Sequence, residues 1–332
     1  MEPITHFLTG ACMGRAGFNR KTALATLTLT LAAEAPDLDV IGNFKDPVFG
    51  FAHHRGFTHS FLGLLLVSAL VVGFVYLIWR IRGGKVKDPG LPPRWGLLFG
   101  LAYMAGVVHI LLDFTNNYGV RPFWPFNEKW YSWDIVFIVE PAILIFLVLG
   151  LVVPMFVRWG VMKRVPAVLA LICIAVLWGV RDFEHRRAVH FLEGRYRASD
   201  PVRASAYPYW WNIHRWYGIV ETRDRFVSLV IDSSASKDSP NAPAQIVRKL
   251  PETPVTLAAK NSFLGRVYLD WAKYPVVEAE QIGSDSGYIV HFLDLRYAYP
   301  DFNGRGTLSA SVDVNERLLV VAQTFGQRRA EK

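Results

Sequence analysis

Cysteine is nearly absent from this chain: Cys12 and Cys173 are the only two among 332 residues. They stand far apart in apolar surroundings, which excludes a disulfide framework and a cysteine zinc site. Any metal chemistry must therefore use imidazole and carboxylate. Charge is sparse as well. Charged residues make up 19% of the chain against 52% hydrophobic ones, below the roughly 25% charged residues of ordinary soluble domains. Disorder and collagen-like repetition are excluded by the same composition, and no internal repeat is visible. The N-terminus lacks a basic stretch followed by an apolar one, so the sequence predicts no cleavable signal peptide.

What is abundant is apolar sequence in long runs. Residues 60–79 contain no charge, and at about 1.5 Å rise per residue they cover the ~30 Å hydrocarbon core of a bilayer. Residues 95–112 form a second run containing only His109, residues 135–157 a third interrupted only by Glu140, and residues 165–180 a shorter fourth opened by Pro166. Trp79, Trp95, Trp133, Trp159 and Trp178 lie at or beside the ends of these runs, where an amphipathic indole prefers the headgroup layer. The expected fold is a mainly α membrane domain over residues 1–181 with about four transmembrane helices. Residues 22–33 are apolar but too short to cross alone, which suits re-entrant or interfacial helices at the N-terminus. Residues 182–332 read as a small soluble α+β domain. Its patterning predicts a hairpin over 216–221 and 225–231, a helix over 262–273, and strands over 288–297, 308–314 and 318–324. The aromatic stretch 207–211 suits a headgroup contact, a cover over a site or a core wedge.

The excess positive charge belongs to the membrane half, which carries a net +6 through residue 181 against +2 beyond it. Arg80, Arg82, Lys85, Lys87 and Arg94 share one loop; Arg158, Lys163 and Arg164 share another. By the positive-inside rule those loops face the cytoplasm. The opposite helix ends and the soluble domain then lie on the extracytoplasmic side. No nucleic-acid reading motif accompanies the basic loops, so the bilayer is the expected partner and nucleic acid is not.

The ionisable residues fall into four groups on that topology: His6; Asp37 and Asp39 in Pro36-Asp37-Leu38-Asp39; His53, His54 and His59; and His109 with Asp113. His109 and Asp113 are four apart and share a helix face. The first span runs away from His59 and the second returns to His109, so the groups converge at one membrane surface. Imidazole and carboxylate suit zinc, manganese or iron, and such a cation activates water for ester or phosphoester hydrolysis. Taken singly, each group has a plainer reading as a packing histidine, a helix pair or a turn. Ionisable groups at membrane depth are costly, however, and by default functional.

These residues also carry a resemblance. Thr5-His6, Pro36-Asp37-Leu38-Asp39, His53-His54-Arg55-Gly56-Phe57-Thr58-His59-Ser60 and His109-Ile110-Leu111-Leu112-Asp113 resemble the YdjM-like family of bacterial inner-membrane proteins over about residues 1–180. That family is described as metal-dependent hydrolases, with some members described as LexA-binding. The ligand order is more distantly similar to zinc-dependent phospholipase C and P1 nuclease. The resemblance implies a multi-pass inner-membrane enzyme with His6, Asp39, His59, His109 and Asp113 as ligands of a divalent metal; His53 and His54 join the candidate set. The later His and Glu that would complete a trinuclear cluster have no clear counterpart. Asp37 reads as a ligand or a general base, and Asp39 as a ligand or as the carboxylate that orients one. Arg55 reads as an anion stabiliser or as an ion-pair partner of Asp37 or Asp39. Glu140 reads as a ligand, a proton shuttle or a buried partner for Arg121 or a histidine. The function expected is metal-dependent hydrolysis of a phosphoester or ester in a lipid or other amphiphile. The alternative is a non-catalytic membrane protein that binds a protein partner through its soluble domain or handles metal ions through the His/Asp cluster.

Overall fold

The computed structural model describes residues 1–86, 88, 90–156, 160–234, 244–283, 287–302 and 308–326. Lys87, Arg158 and Trp159 lie outside the described residues. The chain forms two compact units that interleave in sequence: Met1–Asp39, Arg55–Glu184 and Pro208–Ile213 in the first, Val40–His54, His185–Tyr207 and His214–Lys332 in the second. The aromatic stretch at 207–211 is divided between them. Tyr207 and Tyr209 are buried, Trp210 and Trp211 exposed.

The first unit opens on a helical hairpin. Helix α1 (Pro3–Arg15) starts where the Glu2 side chain accepts from the Thr5 amide at 3.0 Å, and Pro3 fits the first turn because its missing N–H would have no helical partner. Helix α2 (Ala25–Glu34) packs against it through glycine. A Cβ on Gly10 would stand 2.5 Å from the Leu29 carbonyl oxygen and 2.7 Å from Thr30 Cα, and one on Gly14 would stand 2.8 Å from Thr26 Cα. Neither helix is long enough to cross a bilayer. A 3-10 segment (Ala35–Phe44) follows and carries Asp37 and Asp39. A single 3-10 turn, Phe57–His59, then leads into helix α4 (Gly63–Ile81).

Helices α4 (Gly63–Ile81) and α5 (Trp95–Phe114) are the antiparallel apolar pair, with α6 (Pro141–Phe156) and α7 (Val165–Tyr196) beyond them. Small residues seat α5 against α2 and α4, in a core that includes Leu29, Ala33, Val71, Val75, Leu101, Ala102 and Ala105. Their outer faces remain apolar. Leu66, Leu70 and Phe74 on α4, Leu149 on α6, and Ile172 and Val176 on α7 are exposed. Exposed apolar faces of this kind mark a membrane or protein contact. Trp79 and Trp95 meet edge to face at 5.5 Å where α4 ends and α5 begins. The other end of the pair holds His59 and Asp113.

Three helical stretches among the described residues are long and apolar enough to span: Gly63–Ile81, Trp95–Phe114 and Met162–Ser199. The sequence predicted about four. The third apolar run departs because its first residues are not helical. The amides of Ile135 and Val136 both donate to the Thr115 carbonyl, at 3.0 and 3.1 Å, and both side chains are fully buried. Pro141, without an N–H, opens the helix instead. The resulting 16 residues measure about 24 Å, short of the hydrocarbon core. The fourth run extends in the opposite sense, as the first part of a helix of 32 residues.

The second unit contains helix α3 (Pro47–His53), capped by the Asp46 carboxylate, and two four-stranded sheets. In the first sheet β1 (Arg203–Pro208), β2 (Arg215–Glu221), β3 (Arg225–Asp232) and β4 (Gln245–Arg248) lie in chain order. In the second, β5 (Pro275–Gln281), β6 (Tyr288–Asp294), β7 (Ala310–Val314) and β8 (Val320–Phe325) do likewise. The predicted 216–231 hairpin is present as an antiparallel pair running from Arg215↔Asp232 to Glu221↔Phe226. Helices α8 (Pro254–Lys260) and α9 (Phe263–Trp271) separate the sheets in sequence. Phe51 of α3 stacks on Phe325 at 4.0 Å and meets Trp271 edge-on at 5.4 Å.

Candidate metal centre

Four side chains of the first unit converge: Asp37, His59, His109 and Asp113 each offer a ligand atom within 4.8 Å of the others. His109 and Asp113 reach the point together because they sit one turn apart near the end of α5. His59 comes from the 3-10 turn before α4, and Asp37 from the 3-10 segment after α2. His59, His109 and Asp113 are fully buried, and the Asp37 side chain is 12% exposed.

The hydrogen bonds behind the two imidazoles decide which nitrogen faces inward. His109 Nδ1 lies 2.7 Å from the Ala33 carbonyl oxygen. A carbonyl only accepts, so Nδ1 carries the proton and, in the neutral ring, Nε2 bears a lone pair. His59 Nδ1 lies 3.3 Å from Asp39 Oδ2 and 3.1 Å from Thr58 Oγ, which itself donates to Asp39 Oδ2 at 3.0 Å. Nδ1 is again the donor. The two Nε2 atoms nevertheless stand only 3.0 Å apart. Asp37 Oδ1 is 3.3 Å from His59 Nε2 and 3.6 Å from His109 Nε2, and Asp113 Oδ2 is 3.4 Å from each. Four lone-pair atoms thus face one another, and Asp113 Oδ2 has no hydrogen-bond donor among the described residues. Such an arrangement is repulsive unless a cation sits among them. Ligands 2.0–2.2 Å from a tetrahedral zinc stand about 3.3–3.6 Å from one another; the four nitrogen–oxygen separations match that spacing, the two Nε2 atoms stand closer, and the donor set is one that suits the cation the sequence implied.

The remaining candidates surround this group or lie apart from it. His6 stacks on His109 with ring centroids 3.8 Å apart, and its Nε2 is 3.4 Å from Asp113 Oδ1 and 3.9 Å from Asp37 Oδ2. It faces the outer oxygens of both carboxylates. The Met1 amine lies on this side too, 3.0 Å from His6 Nε2 and in contact with Asp113 Oδ1. Burial, followed by the neighbouring His109, keeps the His6 pKa well below that of a free imidazole.

Asp39 stands behind His59, where it also accepts the Arg55 amide at 2.9 Å. Arg55 is buried: its Nη2 donates to Asp113 Oδ1 at 2.7 Å and its Nη1 to the Gly119 carbonyl at 3.1 Å, with the Tyr118 ring 4.8 Å away. His53 and His54 are not members of the converging group; the His53 ring stacks on Phe49 and its Nδ1 meets the Phe49 carbonyl at 2.8 Å. Glu140 is not a member either. It is buried against Arg181, Oε2 to Nη2 at 2.8 Å, whereas the sequence suggested Arg121 or a histidine as its partner. Arg121 instead stacks over Trp130 at 4.5 Å. Sequence reasoning missed Thr58 as a bridge between His59 and Asp39, and the Ala33 carbonyl, which has no side-chain signature.

A sequence profile described as "YdjM inner membrane protein" matches residues 1–188, more than half of the chain and all of the converging ligands. The chain belongs to the YdjM family. Family membership and the apolar helices together make this YdjM protein an inner-membrane protein in contact with the lipid bilayer. It is 29% identical over 153 residues to the Uncharacterized protein YfhP of Bacillus subtilis (strain 168), a match covering 44% of this chain and 43% of that protein. The chain thus spans under half the length of that curated relative. No solved structure matches this YdjM protein.

Proposed function

We propose that this YdjM protein is a membrane-bound metal-dependent hydrolase acting on a phosphoester or ester of a lipid or other amphiphile. The observation that carries the reading is the opposition of two inward Nε2 lone pairs and two carboxylate oxygens in a buried cluster, with nitrogen–nitrogen and nitrogen–oxygen separations of 3.0–3.6 Å. His59, His109 and Asp113 would hold the cation, zinc by donor set and spacing, with manganese or iron as alternatives. The cation supplies Lewis acidity toward a water and a substrate oxygen near neutral pH. Asp37, the most accessible of the four, binds as a fourth ligand or takes the water's proton at a carboxylate oxygen. Asp39 fixes the His59 tautomer from behind. Arg55 positions Asp113 and sets a permanent positive charge beside the developing anion. His6 packs on the His109 ring and places its Nε2 3.4 Å from the outer oxygen of Asp113.

The basic loops lie at the Trp79/Trp95 end of the α4–α5 pair, so the positive-inside rule favours an extracytoplasmic site and soluble domain. Protease added outside spheroplasts should cut within residues 200–326. Metal analysis of the purified chain should find about one zinc, manganese or iron per protein, lost together with phosphoesterase or esterase activity in His59→Ala/Asp113→Ala. A metal-free wild type unchanged by both substitutions would sink the proposal.

A second reading rests on ligand number. Two imidazoles and two carboxylates can fill a tetrahedral shell unaided, and closed shells are structural. Cobalt substitution separates the two: an exchangeable water on the cobalt favours the hydrolase, a four-coordinate centre without water the structural role.

A further inference from the structure

Beside the candidate metal centre, the surface between α2 and α4 is opened by a groove of about 550 Å³ lined by Leu31, Glu34, Ala35, Leu38, Asp39, Thr58, Val67, Leu70, Val71 and Phe74. Its two ends differ in chemistry. At one end stand Asp39 and Thr58, the pair hydrogen-bonded to each other and set behind His59. Away from them the lining is aliphatic and aromatic, supplied by α4 at positions 67, 70, 71 and 74. That i, i+3, i+4, i+7 spacing draws a single stripe about 10 Å long down the helix. Leu70 and Phe74 are 64% and 54% exposed on a helix apolar enough to cross the bilayer, so the groove opens sideways into the hydrocarbon layer. Glu34 joins it near the polar end. Its Oε2 is buried without a hydrogen-bond partner among the described residues, and burial, with repulsion from Asp37 and Glu2, pushes its carboxyl up to about 7.

We infer that this groove seats one acyl chain of a membrane glycerolipid, entering laterally from the bilayer, with the chain lying along Val67–Phe74 and the polar linkage at the Asp39/Thr58 end beside the ligand cluster. The seat follows from the shape and apolarity of the groove and its continuity with the cluster. That the linkage is then hydrolysed rests on the hydrolase reading above. The groove explains how an amphiphile reaches a buried centre without leaving the membrane: the chain stays in hydrocarbon while only its linkage moves to the ligands. It also implies a length preference, because the stripe ends at Phe74.

The test uses the full chain in phosphatidylcholine nanodiscs containing a phosphatidylcholine with a diazirine at a defined carbon of one chain. After irradiation, adducts are mapped by mass spectrometry and metal content is measured on the same sample. Mid-chain diazirine should label Leu70, Val71 and Phe74 at least fivefold above Leu149 and Val152 on the exposed face of α6, and a diazirine near the carbonyl should shift label toward Leu38 and Leu31. Leu70→Trp, at an exposed position that tolerates a large ring, should remove that excess while metal content stays at the wild-type value; Val71→Phe, which narrows the groove from within, should reduce it. Equal labelling of α4 and α6, or an excess that survives both substitutions, overturns the inference. Selective labelling in a protein that retains no metal would leave the chain seat standing and overturn the hydrolase reading instead.

Discussion

Asp39 and Glu34 are two carboxylates within six residues of each other whose surroundings give them opposite tasks. Asp39 accepts from the Arg55 amide, Thr58 Oγ and His59 Nδ1, and so acts on the cluster only through the histidine. Asp39→Asn should therefore leave a folded protein that binds zinc about 10–100-fold more weakly, the range typical for loss of a carboxylate behind a ligating histidine; competition with a chromogenic chelator measures it. Glu34 has no such donors. An unfolded glutamate ionises near ~4.3, and Glu34 in the folded chain near about 7. Between those values the folded chain holds a proton that the unfolded chain has released, so this residue's contribution makes stability fall as pH rises through the window. Thermal unfolding in detergent at a series of pH values should show that decline, and Glu34→Gln should flatten it. His59, His109 and Asp113 were legible in the sequence because histidine and carboxylate are costly at membrane depth. That His53 and His54 fall in the second unit was not, because adjacency along the chain does not mark where one unit ends and the other resumes. Glu140 misled for a related reason: its partner Arg181 lies 41 residues away, and no local pattern announces a pairing at that distance.

The helical hairpin shows how closely elements must approach to assemble the cluster. Ala33, at the end of α2, supplies the carbonyl that fixes His109, and His6 on α1 stacks on the same ring. The two helices can serve one imidazole only because Gly10 lets their backbones meet. Gly10→Ala would place a methyl 2.5 Å from the Leu29 carbonyl oxygen, which cannot swing aside as a side chain could. The expected cost is about 1–3 kcal/mol, as for other overpacked sites, with a lower melting temperature and weaker metal retention. Gly100→Ala on α5 meets nothing within 4 Å and gains helix propensity, so it should be neutral or slightly stabilising in the same melts. Hydropathy located α4 and α5 to within a few residues, since a charge-free run of this length has few other uses. It misjudged the third run because Ile135 and Val136 are buried where the chain hydrogen-bonds back to Thr115 and Val136 bridges Asn116, rather than in a helix. Composition does not separate those two uses.

At the scale of the whole molecule, the second unit borrows Val40–His54 from the N-terminal half, and the first takes back Pro208–Ile213. The composition change near residue 181 marks where apolar sequence stops, and neither exchange leaves a trace in it. A chain ended after residue 199 would keep every converging ligand but deprive Phe51 of Phe325 and Trp271. Limited proteolysis of such a chain should cut within residues 40–54 much faster than in the full protein, with fragments identified by mass spectrometry. The borrowed segment also sets a birth order. It leaves the first unit at Asp39 and returns at Arg55, so the carboxylate that steadies His59 and the guanidinium that grips Asp113 are the two posts from which it hangs. The ribosome has made every ligand by residue 113, yet Phe51 waits for Phe325, almost the last described residue, before its loop can close. The newborn chain carries a finished set of ligands on an unfinished frame for most of its synthesis.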